Sequence, residues 1–178
     1  ALAVESGAPL PGPFHRSPVM RPLLALVVLA GVAFSAAGLA QSKSTYGHWP
    51  ASELRTRDAA LSTKVGADHS ARETLADYGD HRFRLLYRNA DGAPEQHDAI
   101  VDVVFVQSGE GVLQLGGTMI GKKAGAGAGE YQGAKLDGGE RHPLAAGDVL
   151  HIPAGIPHAF LVPAGKHITY VLVKFPAK

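Results

Sequence analysis

The sequence predicts an all-β protein whose globular part is one antiparallel barrel, and three observations predict it. The 22 glycines and 12 prolines among 178 residues exceed ordinary usage and imply many tight turns. From about residue 72 onward, short apolar segments recur at the spacing of a sandwich or barrel, separated by turn-forming stretches such as Asn89-Ala90-Asp91-Gly92 and Asp137-Gly138-Gly139. A chain of 178 residues holds one such domain plus a targeting segment, while two full domains would be cramped.

In chain order, residues 1–19 are Pro-rich and precede a start at Met20; they read as a disordered or over-extended N-terminus and stand outside the fold. Residues 20–40 have the parts of a signal peptide: a basic start at Met20-Arg21-Pro22, an uncharged run over 23–37, and Gly38-Leu39-Ala40, which places small residues at the minus-three and minus-one positions before Gln41. An uncleaved membrane anchor is the alternative, since the uncharged run over 22–42 approaches the ~20 residues that span a bilayer. Its Ala- and Gly-rich second half favours cleavage, and with it a periplasmic or secreted protein. Contact with a membrane is then expected only if the signal segment stays in place.

Residues 41–70 form an N-terminal helical segment. Its helix is expected over 50–65, where Pro50 and Ser52 suit a helix start and Leu54, Leu61 and Val65 recur at helical spacing. Residues 71–178 form the barrel, with strands expected at 72–78, 82–88, 100–106, 111–115, 118–120, 131–136, 149–152, 158–162 and 168–175. Ser108-Gly109-Glu110-Gly111 is expected to turn, and the Ala-Gly alternation over 121–129 to form a surface loop. On the 82–88 strand, Phe83, Leu85 and Tyr87 alternate with Arg82, Arg84 and Arg88, so the arginines are expected to face solvent. The alternative is that one of them pairs with a carboxylate substrate.

Composition narrows the chemistry. The formal charge is +1 and the only adjacent lysines are Lys122 and Lys123, so no basic stripe exists to neutralise a phosphate backbone, and nucleic acid is not an expected partner. Without a single cysteine, any metal must be held by nitrogen and oxygen. The Gly-x-Ser-x-Gly turn of a serine hydrolase is missing.

Two motifs carry a family resemblance. Gly147-Asp148-Val149-Leu150-His151-Ile152-Pro153-Ala154-Gly155-Ile156-Pro157-His158 is similar to the second conserved motif of the cupin superfamily: a Gly, five residues, Pro-x-Gly, two residues and a His. Upstream, Asp102 to Gly111 resembles the strand and turn of the first motif. Asp102 stands where that motif has its Glu, His97 at its second His, and Glu95 in place of its first His. The resemblance covers about residues 80–175. It implies a cupin-type double-stranded β-helix, a jelly-roll barrel of two antiparallel sheets, with a divalent metal in the barrel mouth and frequent homodimers.

Carried over position by position, the implied metal ligands are Glu95, His97, Asp102 and His158. Glu95 and His97, two apart on a strand, project to one face, whereas Asp102 has the opposite parity and needs a bulge or bend to join them. Two imidazoles with two carboxylates favour Mn or Fe, with Zn or Ni next. If one carboxylate does not bind, the rest form a two-His-one-carboxylate arrangement that would support oxygenase chemistry. His151, on the 149–152 strand, is either a satisfied half-buried histidine or a proton shuttle.

Two readings of function follow: a metal-dependent enzyme of oxygenase or isomerase type acting on a small molecule, or a non-catalytic module that binds or senses a small ligand. A structural envelope domain is a third, which the two histidines at ligand positions disfavour. Fold alone does not choose between them.

Overall fold

The computed structural model describes residues 46–178. The segments read as an over-extended N-terminus (1–19) and a signal peptide (20–40), with residues 41–45, lie outside the described residues. One helix, α1 (Ala51–Ser62), precedes β1 (Ser70–Asp77), β2 (Arg82–Arg88), β3 (Glu95–His97), β4 (Ile100–Leu115), β5 (Thr118–Ile120), β6 (Lys123–Ala124), β7 (Glu130–Gln132), β8 (Lys135–Asp137), β9 (Glu140–Ala145), β10 (Val149–Ile152), β11 (His158–Leu161) and β12 (Ile168–Pro176). The strands run β1-β2-β12-β4-β11-β3-β7-β6, with β9 and β10 also on β4 and with β5 and β8 as a separate pair. The all-β antiparallel architecture is thus the one expected.

β4 is the hinge of this arrangement. Its first part pairs with β12 and β10, and its second with β9 and β11. The turn expected at residues 108–111 is therefore absent: β4 runs through it as strand. Between Thr169 and Tyr170 the β12 register jumps from Ser108 to Val106, leaving Gln107 as a bulge. The bulge flips the parity of β4, whose inward residues are Asp102, Val104 and Val106 before it and Gly111 and Leu113 after it. Gly109 makes the passage possible: its φ is 75°, and a Cβ there would collide with the His167 carbonyl.

Two smaller expectations also change. The strand expected at 131–136 is split into β7 and β8 at Gly133-Ala134, and β9 was not expected. Pro143 masks β9 in the sequence, and it is tolerated because β9 pairs only with β4 and so lies at an edge.

Apolar residues on the inner faces build the main core, among them Val104, Val106, Leu113, Leu144, Ile152, Phe160, Ile168 and Tyr170. The outer face of β2 and β12 is buried as well. Leu85, Val171 and Val173 pack with Ala71 of β1 and Leu61 of α1, and Phe83 and Tyr87 lie against them. Asp58 fastens the helix to the strands, its carboxylate accepting hydrogen bonds from Ser108 Oγ at 2.5 Å and Thr169 Oγ1 at 2.6 Å.

Arg82 is exposed as expected and pairs with Asp77 at 2.5 Å, but the helix overturns the expectation for Arg84 and Arg88. Because α1 covers the apolar side of β2, the alternate residues Arg84, Leu86 and Arg88 look into the barrel. The expected alternation is present, with its faces exchanged.

Candidate functional site

Each site residue is placed by strand pairing. β10 lies against β4 with Ile152 opposite Asp102, and β11 lies against β3 with His158 opposite Glu95. The tight turn between β10 and β11 is joined to β3 by the Gly155 N–H, which donates to the His97 carbonyl at 2.7 Å. Both motif segments thus meet at one point. Asp102 joins them through the expected bend rather than a bulge: the strand breaks at Asp98-Ala99, and Asp102 enters on a new strand with its own parity.

The four expected ligands stand as follows. One donor atom each from Glu95, His97 and His158 lies within 4.8 Å of the others. The rings of His97 and His158 are 5.4 Å apart between centroids. Asp102 Oδ2 is 3.7 Å from His97 Nε2 and 3.6 Å from His158 Nε2, and Glu95 Oε2 is 3.4 Å from His97 Nε2. His97, Asp102 and His158 are buried; Glu95 is partly exposed.

Both imidazoles are oriented from behind. His158 Nδ1 sits 3.0 Å from the Ile156 carbonyl, which fixes the proton on Nδ1 and leaves Nε2 free to meet a cation. His97 Nδ1 is 2.5 Å from Glu130 Oε2, a close contact out of line for a hydrogen bond. Nothing in the sequence marked Glu130: it stands at the end of the low-complexity run and reaches His97 because β7 pairs with β3.

Burial alone would raise the Glu95 carboxyl, but the contact with His97 and the charges of Lys174, His158 and His97 outweigh it and hold the group at about 2. Burial likewise opposes ionisation of Asp102, and His158, Lys174 and His97 turn the balance so that it lies below the usual carboxylate range. For His97 burial acts to lower the pKa; Glu95, Asp102 and Glu130 outweigh that and the opposing charge of Lys174, so it lies above its ordinary value. The centre is built to attract positive charge.

Two imidazole nitrogens and a carboxylate oxygen within 4.8 Å of one another supply the donor types of a divalent-ion site. Glu95, His97 and His158 would hold such an ion, with Asp102 beside them. One further group shares the place. Lys174 Nζ lies 2.6 Å from His97 Nε2 and 3.1 Å from both carboxylate oxygens of Asp102.

A cavity of about 500 Å³, including its open mouth, lies against the centre, lined by Glu95, Asp102, His158 and Lys174 on one side and by Arg72, Arg84 and Arg88 on the other. Arg88 is buried, donates from Nε to the Tyr170 hydroxyl at 3.1 Å and approaches Glu95 at 3.9 Å. Arg72 pairs with Asp68 at 2.7 Å. Arg84 has no acidic partner within salt-bridge distance among the described residues, and burial together with the charges of Arg82 and Arg72 depresses its pKa. His151 is exposed, on the face of β10 opposite to buried Ile152, and does not line this cavity.

Two facing sheet regions joined by one long strand, with both motif segments at the mouth, make this a cupin-type fold. No family model and no curated protein matches the chain. Among solved structures it is similar to the polyketide cyclase RemF from Streptomyces resistomycificus, at 19% identity over 64% of this chain and 68% of that one, with a TM-score of 0.43. A predicted oxalate decarboxylase from Thermotoga maritima shares 15% identity over 60% of this chain and 80% of its own, with a TM-score of 0.45. A cupin-2 domain protein from Rhodospirillum rubrum shares 16% over 60% of each chain, with a TM-score of 0.45.

Proposed function

We propose that this chain is an exported cupin-type barrel that binds a small anionic molecule in its mouth, beside a cation centre able to hold a divalent metal ion. The observation that carries this reading is the cavity itself, with imidazole and carboxylate donors on one wall and arginines on the other. Arg84 is the group for the anion, because its guanidinium is partly desolvated among like charges and has no acidic partner within salt-bridge distance among the described residues. A bound metal ion would supply charge stabilisation to a ligand oxygen. The chain's own residues orient the ligand, and where no metal ion occupies it, His158 Nε2 at the cavity wall offers a place for a proton. Export is supported by the signal-like pattern at 20–40.

Calorimetric titration with malonate and succinate tests the anion, and elemental analysis after Mn(II) loading tests the metal. Wild type should bind at least one dicarboxylate, and Arg84→Met should weaken it by about tenfold, or about 1.4 kcal/mol. Metal content should fall in His97→Ala/His158→Ala. Unchanged dicarboxylate affinity in the arginine variant removes the anion reading, and unchanged metal content in the histidine variant removes the metal reading.

A second reading, enzymatic turnover by proton transfer, is favoured by the position of His158, whose Nε2 meets both Asp102 and the cavity. His158→Gln should then abolish turnover of a bound ligand while leaving its binding within a few-fold.

A further inference from the structure

Lys174 is the member of this centre that neither motif accounts for. β12 places it there: Tyr170 and Leu172, on the same face of the strand, point into the core, and Lys174 is the cross-strand partner of Asp102. Its ammonium donates to His97 Nε2 at 2.6 Å and to Asp102 at 3.1 Å. That is the ground on which the attractions for a bound cation converge, and an ammonium is a compact cation with three donors.

The charges nearly balance from within. Glu95, Asp102 and Glu130 bring three negative charges, and Lys174 and Arg88 two positive ones, with Arg88 at 3.9 Å from Glu95. A divalent ion added beside a retained ammonium would leave one uncompensated positive charge in a mostly buried setting, which is costly, whereas one that displaces the ammonium leaves none.

We propose that the Lys174 ammonium is the resident cation of this centre, a tethered charge held by His97 and Asp102, and that a divalent metal ion enters only by displacing it. The inference rests on the reading of Glu95, His97, Asp102 and His158 as a cation centre and goes beyond it by naming the occupant and the competitor. Displacement has a route. Lys174 also lines a second cavity of about 520 Å³, whose wall carries Asp77 and Asp80, and its side chain is 26% exposed.

Titration calorimetry with Zn(II) and Mn(II) tests this on the full chain as wild type, Lys174→Met, Lys174→Gln, and Lys174→Met combined with His97→Ala/His158→Ala. Both single lysine variants should bind metal at least tenfold more tightly than wild type, and the added histidine changes should remove the gain. Equal or weaker binding by both lysine variants, with loss on removing the histidines, overturns the tethered cation and leaves the metal centre standing. No metal uptake by any of the four overturns both. A variant-free check uses acetic anhydride on the wild-type chain, followed by peptide mass analysis. Saturating Zn(II) should speed acetylation of Lys174 several-fold as the ammonium is driven out, and an unchanged or slower rate overturns the proposal.

Discussion

The two faces of β2 and β12 are built from alternate residues of the same strands and do opposite work. Outside, Leu85, Val171 and Val173 are closed over by α1, and the region is apolar. Inside, the same strands carry Leu86, Tyr170 and Leu172 in the core and then Arg84, Arg88 and Lys174 at the mouth, where charge replaces packing. The contrast shows that burial on a sheet does not tell which face is the interior of a barrel: an apolar stripe seeks whatever cover is offered, and here a helix offers it.

The comparison is sharpest in mutant stability. Leu85→Ala, at a position with no exposed surface, should cost about 2–5 kcal/mol in urea unfolding, because neighbours on both sides close the gap only in part; a loss under about 1 kcal/mol would mean that α1 does not seal this face. Asp58→Ala removes the acceptor of Thr169, which is wholly buried, and of Ser108. It should cost about 1–3 kcal/mol, and a neutral result would show the helix to be held by its apolar residues alone.

On the inner face, acid is the agent of choice. A carboxyl held at about 2 in the folded chain against the usual 4.5 contributes stability that is complete above the unfolded value and is lost as pH falls toward the folded one. Melting temperature should therefore drop between about pH 4.5 and 2, and Glu95→Gln should flatten that part of the profile while lowering stability at neutral pH. A profile identical to wild type would place Glu95 outside the charge network.

The smallest effect is expected for Arg84→Met. With no ion pair to lose and like charges nearby, it should shift stability by within about 0.5 kcal/mol while weakening anion binding. A large destabilisation would reveal a structural role and break the contrast between a packing face and a binding face.

Much of the site was legible in sequence because its two motifs fix spacing across tight turns. Gly147 and Gly155 adopt φ of 97° and 79° and fold the chain back, so that His158 starts a returning strand at a set distance from Ile152. His97 and Glu95 share a face by parity alone. The approach of Glu130 was hidden, since it depends on β7 pairing with β3, which brings together residues 33 positions apart, counted from His97 to Glu130. Lys174 was hidden for a similar reason: in a run reading Tyr170-Val171-Leu172-Val173-Lys174, a terminal lysine looks like the solvent end of a buried strand.

By itself the sequence determined the class of fold, the helix ahead of it, the places of most turns, and the histidines and acids that two separated segments would contribute. These follow from local rules: periodicity, turn chemistry and the spacing of residues on either side of a short hairpin. Only the tertiary structure decided that β4 would run on through an expected turn, that Arg84 and Arg88 would face the cavity, and that an ammonium from the last strand would reach the centre. Those outcomes depend on which surface covers which, and on contacts between residues 77 positions apart, such as His97 and Lys174. A one-dimensional pattern of polar and apolar residues carries no record of either.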